Sequence, residues 1–576
     1  DQEGGRVQRF GEPFTRLPAM RSLGHLYDED TGQALKAARA FGWLMRAARA
    51  AERAQDFRQA LDYLRQAGQH LSPELDPNGE HLLEIRLSEG RMFRFLGEFG
   101  PAEDALREAI EETRRVGDTV GEALTGEALA GVLVLVTRYE EAIDIYERIQ
   151  SLYEQFGEDA GILRCQLGLA EIARFCGDYP MCEQMFGEIE AGARKLGDQG
   201  LQARCTFGLA QCAYARGDFD GAIDAFRRAR KRAESLEDAM LCSEADIEIA
   251  TCMIGSGHIE NALSTARMAL EVKQSIGDTL GQAHAHLILA MCMRRTHRID
   301  NAKQHVLRSR TLNERLGHVY GIAKAVLVQA EIAWVSGAVD ESFEPLRDAR
   351  KLHKEIGDAH GLVITLLHEA LCRVEIGEAD ASRECLEEAM ALIEENGLDL
   401  YRGKHLLIQG LIAEVEGRLE DAVSLHDEAI RCAEASGHTD LVSMATISIC
   451  KAHILMGDFH AASREAPLAL ERAEATGHTH GLMFALTLRA LLARLDRQAE
   501  ILSSTLRRLR VLNENASALN HMRIPNRLIW ICNQLRQRVS DERAFPVVLS
   551  AVEIIRALGD ADSADHLARK VLRPRT

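Results

Sequence analysis

The stretch RCTFGLAQCAYARGDFDGAIDAFRRARKRAESL, residues 204–236, decides the fold of this chain. Its apolar residues Leu209, Ala210 and Ala213, then Phe219, Ala222, Ile223, Phe226 and Ala229, fall at the spacing of one helix face on either side of Gly217. The stretch therefore reads as a helical hairpin. The hairpin returns every 40 residues. Stepping in 40s from Gly117 gives Gly157, Gly197, Glu237, Gly277, Gly317, Gly357, Gly397, Gly437 and Gly477, nine glycines in ten positions. A second column, Gly97, Thr137, Gly177, Gly217, Gly257, His297, Gly337, Gly377, Gly417 and Gly457, holds eight in ten. With 45 Gly in 576 residues, chance would put about one glycine in each column, so the register is real.

The two columns are offset by 20 residues, so each unit holds two helices of similar length. Glycine can take the left-handed conformation that ends a helix, and the Asp beside it, as in Gly117-Asp118, Gly197-Asp198, Gly277-Asp278 and Gly357-Asp358, can cap the next one. Small residues recur where helices must approach closely. One column runs through Ala130, Ala170, Ala210, Ala250 and Ala290, another through Ala102, Ala142, Cys182, Ala222 and Ala262. Neither helix can bury its apolar stripe alone, so neighbouring hairpins must stack.

Leu-Ala pairs in the first helix (Leu129-Ala130, Leu169-Ala170, Leu209-Ala210, Leu289-Ala290) and Ala-x3-aromatic spacing in the second (Ala142 to Tyr146, Ala222 to Phe226) resemble the tetratricopeptide repeat (TPR) family. The resemblance runs from about residue 41 to about 515. The unit departs from the common 34-residue form in its 40-residue length and in using glycine rather than proline at the turn. That longer form is similar to Pins-type adaptors, Rap-type regulators and MalT-like sensor domains. The resemblance implies an all-α, right-handed α-solenoid superhelix of about 12 hairpins with capping helices at the C-terminus. Residues 1–40 read as a linker or the edge of a preceding domain, 41–515 as the array, and 516–576 as the capping helices.

Further implied by the resemblance is a concave groove, lined by the first helices, that binds an extended peptide or a partner helix. The positions carried over are Arg164, Arg204, Glu244, His284, Lys324 and Lys404, then Glu171, Gln211 and Glu331, then Arg174, Tyr214, Arg294 and Trp334. Arg suits bidentate capture of a carboxylate, and Trp or Tyr adds contact area at low entropic cost. Between Gly281 and Gly317 stand seven basic residues (Arg294, Arg295, Arg298, Lys303, Arg308, Arg310, Arg315) and two acids, Asp300 and Glu314. This patch either meets an acidic partner or pairs with acidic neighbours.

Composition bounds the function. A net charge of −19 argues against nonspecific nucleic-acid binding by the whole surface. The 13 cysteines show no zinc-spaced CxxC pair. Cys212, Cys252, Cys292 and Cys372 share one register position, which reads as buried packing in a reducing cytoplasm. No membrane span is expected. Phosphate loops, HExxH, dinucleotide loops and nucleophile elbows do not occur, so no catalytic residue, metal or cofactor is expected. His318, His438 and His478 stand where other repeats place Asp and are expected to serve as capping variants. The leading expectation is a non-enzymatic scaffold that binds a protein or peptide segment, with an acidic one favoured by the cations. The alternative is a sensor domain of a larger MalT-like or STAND-type signalling protein.

Overall fold

A computed structural model describes residues 37–52, 56–71, 76, 80–476, 478–515, 524–538 and 541–571. Most of the expected N-terminal linker, and Gly477, lie outside the described residues. Among those described there is no strand. Twelve helical hairpins follow one another, from 37–52 with Phe57–Gln69 to Thr479–Leu495 with Ala499–Asn515. Three further helices, Ile524–Arg538, Asp541–Ala557 and Ala561–Val571, come last. Leu528, Ile531 and Leu535, with Val547, Val548 and Ile555, join Leu486 and Leu491 in one buried cluster, so these helices cover the apolar end of the stack.

The 20-residue beat is written in the backbone. Glycines from Gly97 to Gly457 hold positive φ at every described column position, and the four exceptions hold it too: Thr137 (62°), Glu237 (57°), His297 (56°) and Arg497 (59°). The side chain departs from the pattern at these sites, but the turn does not. After the turn, Asp118, Asp198, Asp218, Asp278 and Asp358 each accept a hydrogen bond from the backbone N–H three residues on. Each such cap stabilises its helix by about 1 kcal/mol. His318, His438 and His478 make no such cap, contrary to the expectation from sequence. Each ring is drawn elsewhere: His318 Nδ1 lies 3.0 Å from Asn313 Oδ1, the His438 ring sits 5.1 Å from Phe219, and the His478 ring sits 6.0 Å from His480.

The opening helix of each hairpin is buried on nearly every side, as Thr279–Arg295 shows with Ala283, Ala285, Leu287, Ile288, Ala290 and Cys292. The closing helix buries one stripe, as in Ile259–Ser275 with Ile259, Ala262, Ala266 and Ala269. Opening helices therefore form the inner layer and closing helices the outer. Both small-residue columns, and Cys212, Cys252 and Cys292 with them, are fully buried at the helix contacts. One inner helix, Thr439–Met456, is long and apolar enough to cross a membrane, which the search for apolar runs did not anticipate. Its sequence reflects burial: 67% of it is covered inside the solenoid.

The solenoid coils tightly enough that successive turns touch. A Cβ on Gly217 would lie 2.8 Å from Ser436 O, and one on Gly257 3.2 Å from Thr476 Cα. Phe175 meets Tyr320 at 5.3 Å between ring centroids, Phe219 meets His438, and His297 stacks on His480 at 6.1 Å. Arg295 forms an ion pair with Asp440. Arg538, in the terminal helices, donates to Glu414 O at 2.8 Å. The open trough expected from sequence is thus roofed by the next turn of the same chain.

The turn geometry predicts paired outcomes. No atom lies within 4 Å of a Cβ built on Gly117, so Gly117→Ala meets only the left-handed backbone penalty of about 1–2 kcal/mol and lowers the melting temperature. Glu237→Gly relieves the same penalty and raises it, by about 0.5–1 kcal/mol in chemical denaturation.

Candidate functional site

The inner helices carry side chains a purely structural core would not need. Arg164 pairs with Glu127 at 2.9 Å and lies 5.7 Å from the Tyr153 ring centre. Arg174 stacks 4.1 Å over Phe175, and Lys324 sits 4.5 Å over Tyr320. Gln211 reaches Glu248 at 3.5 Å, and Arg204 is exposed. Arg174, His284 and Lys324 lie close enough to act on one another's charges, with Glu248 the nearby acid. Arg164 and Arg204 stand apart from that group.

Five other candidates, Tyr214, Arg294, Glu331, Trp334 and Lys404, line one cavity of about 240 Å³. They come from four inner helices, Gln199–Ala215, Thr279–Arg295, Val319–Val335 and Arg402–Glu416, which are not all neighbours along the stack, so the coiling of the chain as well as the register brings them together. The remaining wall comes from helices between these, which supply Thr251, Ile254 and His368, and from later repeats, which supply Tyr401, His438 and Asp440. Glu331 is the hub: Arg294 Nη2 lies 3.0 Å from one carboxylate oxygen and His368 Nε2 2.6 Å from the other. Trp334 donates through Nε1 to Glu375 at 2.9 Å and packs edge-on to His368 at 6.2 Å.

Burial works against the Glu331 carboxylate, but Arg294 and His368 outweigh it and hold the group well below its ordinary range. Burial pulls the Lys404 ammonium down to about 8 and Arg295 to about 10, so both remain cations at neutral pH. Burial also pushes His438 and His360 down to about 4. His360 Nε2 makes a 2.6 Å contact with the Tyr401 hydroxyl, and its ring lies edge-on to Tyr179 at 6.3 Å.

The basic patch resolves largely into internal pairs: Arg294 with Glu331, Arg295 with Asp440, Arg298 with Glu260 and Arg310 with Glu314. Arg295, His368, Tyr401 and Asp440 belong to the cavity but were not among the groove positions read from sequence. Their signal was weak, because Tyr401 and Asp440 arrive from repeats further on, while Arg295 and His368 fall outside the register positions carried over. The candidate cysteines are free and buried or half-buried, and no group of three or more metal-ligating side chains occurs among the described residues.

Comparison with known proteins adds the following. The tetratricopeptide repeat profile matches residues 163–235. A beta-hexosaminidase of Alkalilimnicola ehrlichii is 60% identical over 45 residues, and one of Chromobacterium violaceum is 57% identical over 47. These stretches are 8% of this chain, and the chain spans only 13% of each enzyme's length. A Rap protein complexed with competence and sporulation factor is similar in structure at TM-score 0.46 and 16% identity, over 69% of this chain and 99% of that one. The apo quorum sensor NprR from B. thuringiensis is similar at TM-score 0.41 and 13% identity, over 63% and 99%.

The buried histidines predict acid lability. Burial lowers His284 to about 3 and His286, His318, His360 and His438 to about 4, from an ordinary 6.5. As pH falls below 6.5 the unfolded chain takes up protons that the fold refuses, so stability present above 6.5 is lost towards pH 4. Each such histidine contributes at most about 1.4 kcal/mol per pH unit. Glu244 and Glu248, raised by burial, oppose this but are fewer. The melting temperature is expected to fall between pH 7 and 5, and His360→Gln to make the slope shallower. A flat profile contradicts this account.

Proposed function

We propose that this chain, a member of the tetratricopeptide repeat family, is a non-enzymatic interaction scaffold that holds a protein or peptide segment on the inner face of its solenoid. The observation that carries the reading is the inner face itself. A structural interior is built most cheaply from apolar residues, because burying a charge costs stability unless it is paired and hydrogen-bonded. Here Arg174, Lys324 and Lys404 line the interior of a chain whose net charge is −19. Tyr214, Tyr320 and Trp334 lie among them. Cations and rigid aromatics in one hollow suit a segment that brings carboxylates and apolar side chains. The preferred occupant is an acidic segment, and neither membrane nor nucleic acid is a partner. The protein works in the cytoplasm, where its thirteen cysteines stay reduced.

One observation favours a second reading, a sensor domain of MalT-like or STAND type. A segment reaching the inner face must pass between turns held by Arg295–Asp440 and Phe219–His438. Binding is then tied to superhelical pitch, and a ligand that prefers the opened form shifts the population towards it.

The scaffold reading is tested with immobilised acidic, neutral and basic peptides of equal length. Acidic peptides are expected to bind best. Arg204→Glu and Lys324→Glu should each weaken them at least about tenfold, or about 1.4 kcal/mol, with helical circular dichroism unchanged. Unchanged affinity in both variants overturns the inner face as the binding surface. The sensor reading adds that bound peptide changes the radius of gyration in small-angle scattering.

A further inference from the structure

The cavity between the two turns has divided chemistry. Part of its lining is apolar, with Ile364, Leu371, Leu407, Leu441 and Met444. Another part is charged, with three cations, Arg294, Arg295 and Lys404, and two carboxylates, Glu331 and Asp440. The carboxylates are taken by Arg294 and Arg295. Lys404 makes no ion pair or hydrogen bond among the described residues, although the Glu331 carboxylate acts on it through space, and the three cations outnumber the two carboxylates by one beside an apolar wall. The Nε atoms of both arginines are also buried without a hydrogen-bond partner. An ammonium without a hydrogen bond and an apolar surface thus share a space of about 240 Å³. That is below the 300–1,000 Å³ of sites for drug-sized ligands, so the space suits a body about the size of one amino-acid residue.

We propose that this cavity binds a small carboxylate carried on an apolar body, with its charge on Lys404 and Arg295 and its body against Leu407, Leu441 and Met444. The chemistry follows from complementarity: a monoanion neutralises the surplus charge, accepts from the Lys404 ammonium and covers the apolar wall. Its position matters as much as its chemistry. Arg294 and Arg295 lie on Thr279–Arg295, whereas Leu441 and Met444 lie on Thr439–Met456, the helix whose Asp440 meets Arg295 across the seam. A bound acid therefore bridges two turns and favours the closed coil. This deepens the scaffold reading, on which it rests only in taking the inner face as a working surface.

The full chain is titrated calorimetrically with N-acetyl-leucine and N-acetyl-phenylalanine, and with their uncharged amides. The acids are expected to bind and to raise the melting temperature, and the amides to bind at least about tenfold more weakly. Lys404→Met is expected to bring the acids down to the level of the amides. Its unliganded fold should remain intact, because Lys404 makes no ion pair or hydrogen bond among the described residues, and Lys404→Gln provides the same test should the methionine variant aggregate. Failure of the acids to bind at millimolar concentration, equal binding of acid and amide, or an unaltered preference in both Lys404 variants overturns the proposal. Arg204 lies outside the cavity, so Arg204→Glu should leave acid binding intact. Acid binding without peptide capture refutes the scaffold reading alone, and peptide capture without acid binding refutes this proposal alone.

Discussion

A left-handed residue every 20 positions is the constraint from which the rest of this structure follows. It ends each helix after the same number of residues, so every hairpin has the same length and meets its neighbour in the same way. Identical steps compose into a regular coil, and a regular coil brings each repeat against the same partner in the next turn. The contacts Gly217–Ser436 and Gly257–Thr476 lie one unit apart at both ends, the direct signature of that regularity. Thr137, Glu237, His297 and Arg497 show how firmly the constraint is enforced. These residues accept a conformation that costs L-amino acids about 1–2 kcal/mol rather than let a hairpin change length.

Whatever is local was legible in the sequence. Hairpins, aspartate caps and small-residue contacts are set within one repeat or between neighbours, and their residues recur often enough to be read by counting. Register also located Tyr214, Arg294, Glu331 and Trp334 on one face. The cavity they line was not legible, because half of it comes from helices several repeats away. The pairing of Arg295 with Asp440 depends on the small rotation between repeats, summed over several of them, and no residue in either helix encodes that sum. The histidines misled for a related reason. Position 438 looks like a capping site from its own repeat, but Phe219 of the previous turn decides what the ring does.

Buried polar groups in this protein fall into two kinds, and the register separates them. At the end of the outer helices Lys273, Asn313 and His353 occupy one column and each reaches the residue five positions on: Asp278 at 2.8 Å, His318 at 3.0 Å and Asp358 at 2.8 Å. Each pair closes its own hairpin end, so these are packing variants of a position that elsewhere holds alanine, threonine, tyrosine or isoleucine. Removing one partner would strand the other in the core. The inner-face charges differ. Arg174 and Lys324 rest on aromatic rings, and Lys404 faces open space. Lys324 and Lys404 have acids nearby, Glu248 and Glu331, but make no ion pair with them, so the two populations answer to different demands.

The enclosed inner face also bears on how such a scaffold can work. In an open solenoid, affinity for a segment is set by the groove alone. Here any occupant competes with contacts the chain makes to itself, and the apparent affinity is reduced by the fraction of time the turns stand apart. Contacts such as Phe219–His438 and Arg295–Asp440 therefore act on binding without touching the ligand. A cavity that spans the same seam places its ligand where it can shift that fraction most, since one bound molecule touches both turns at once. The coil is held closed by separate polar, aromatic and apolar contacts, Leu316 against Gly97 and Leu400 against Gly217 among the last, and the polar ones can be exchanged for those of a ligand at small net cost.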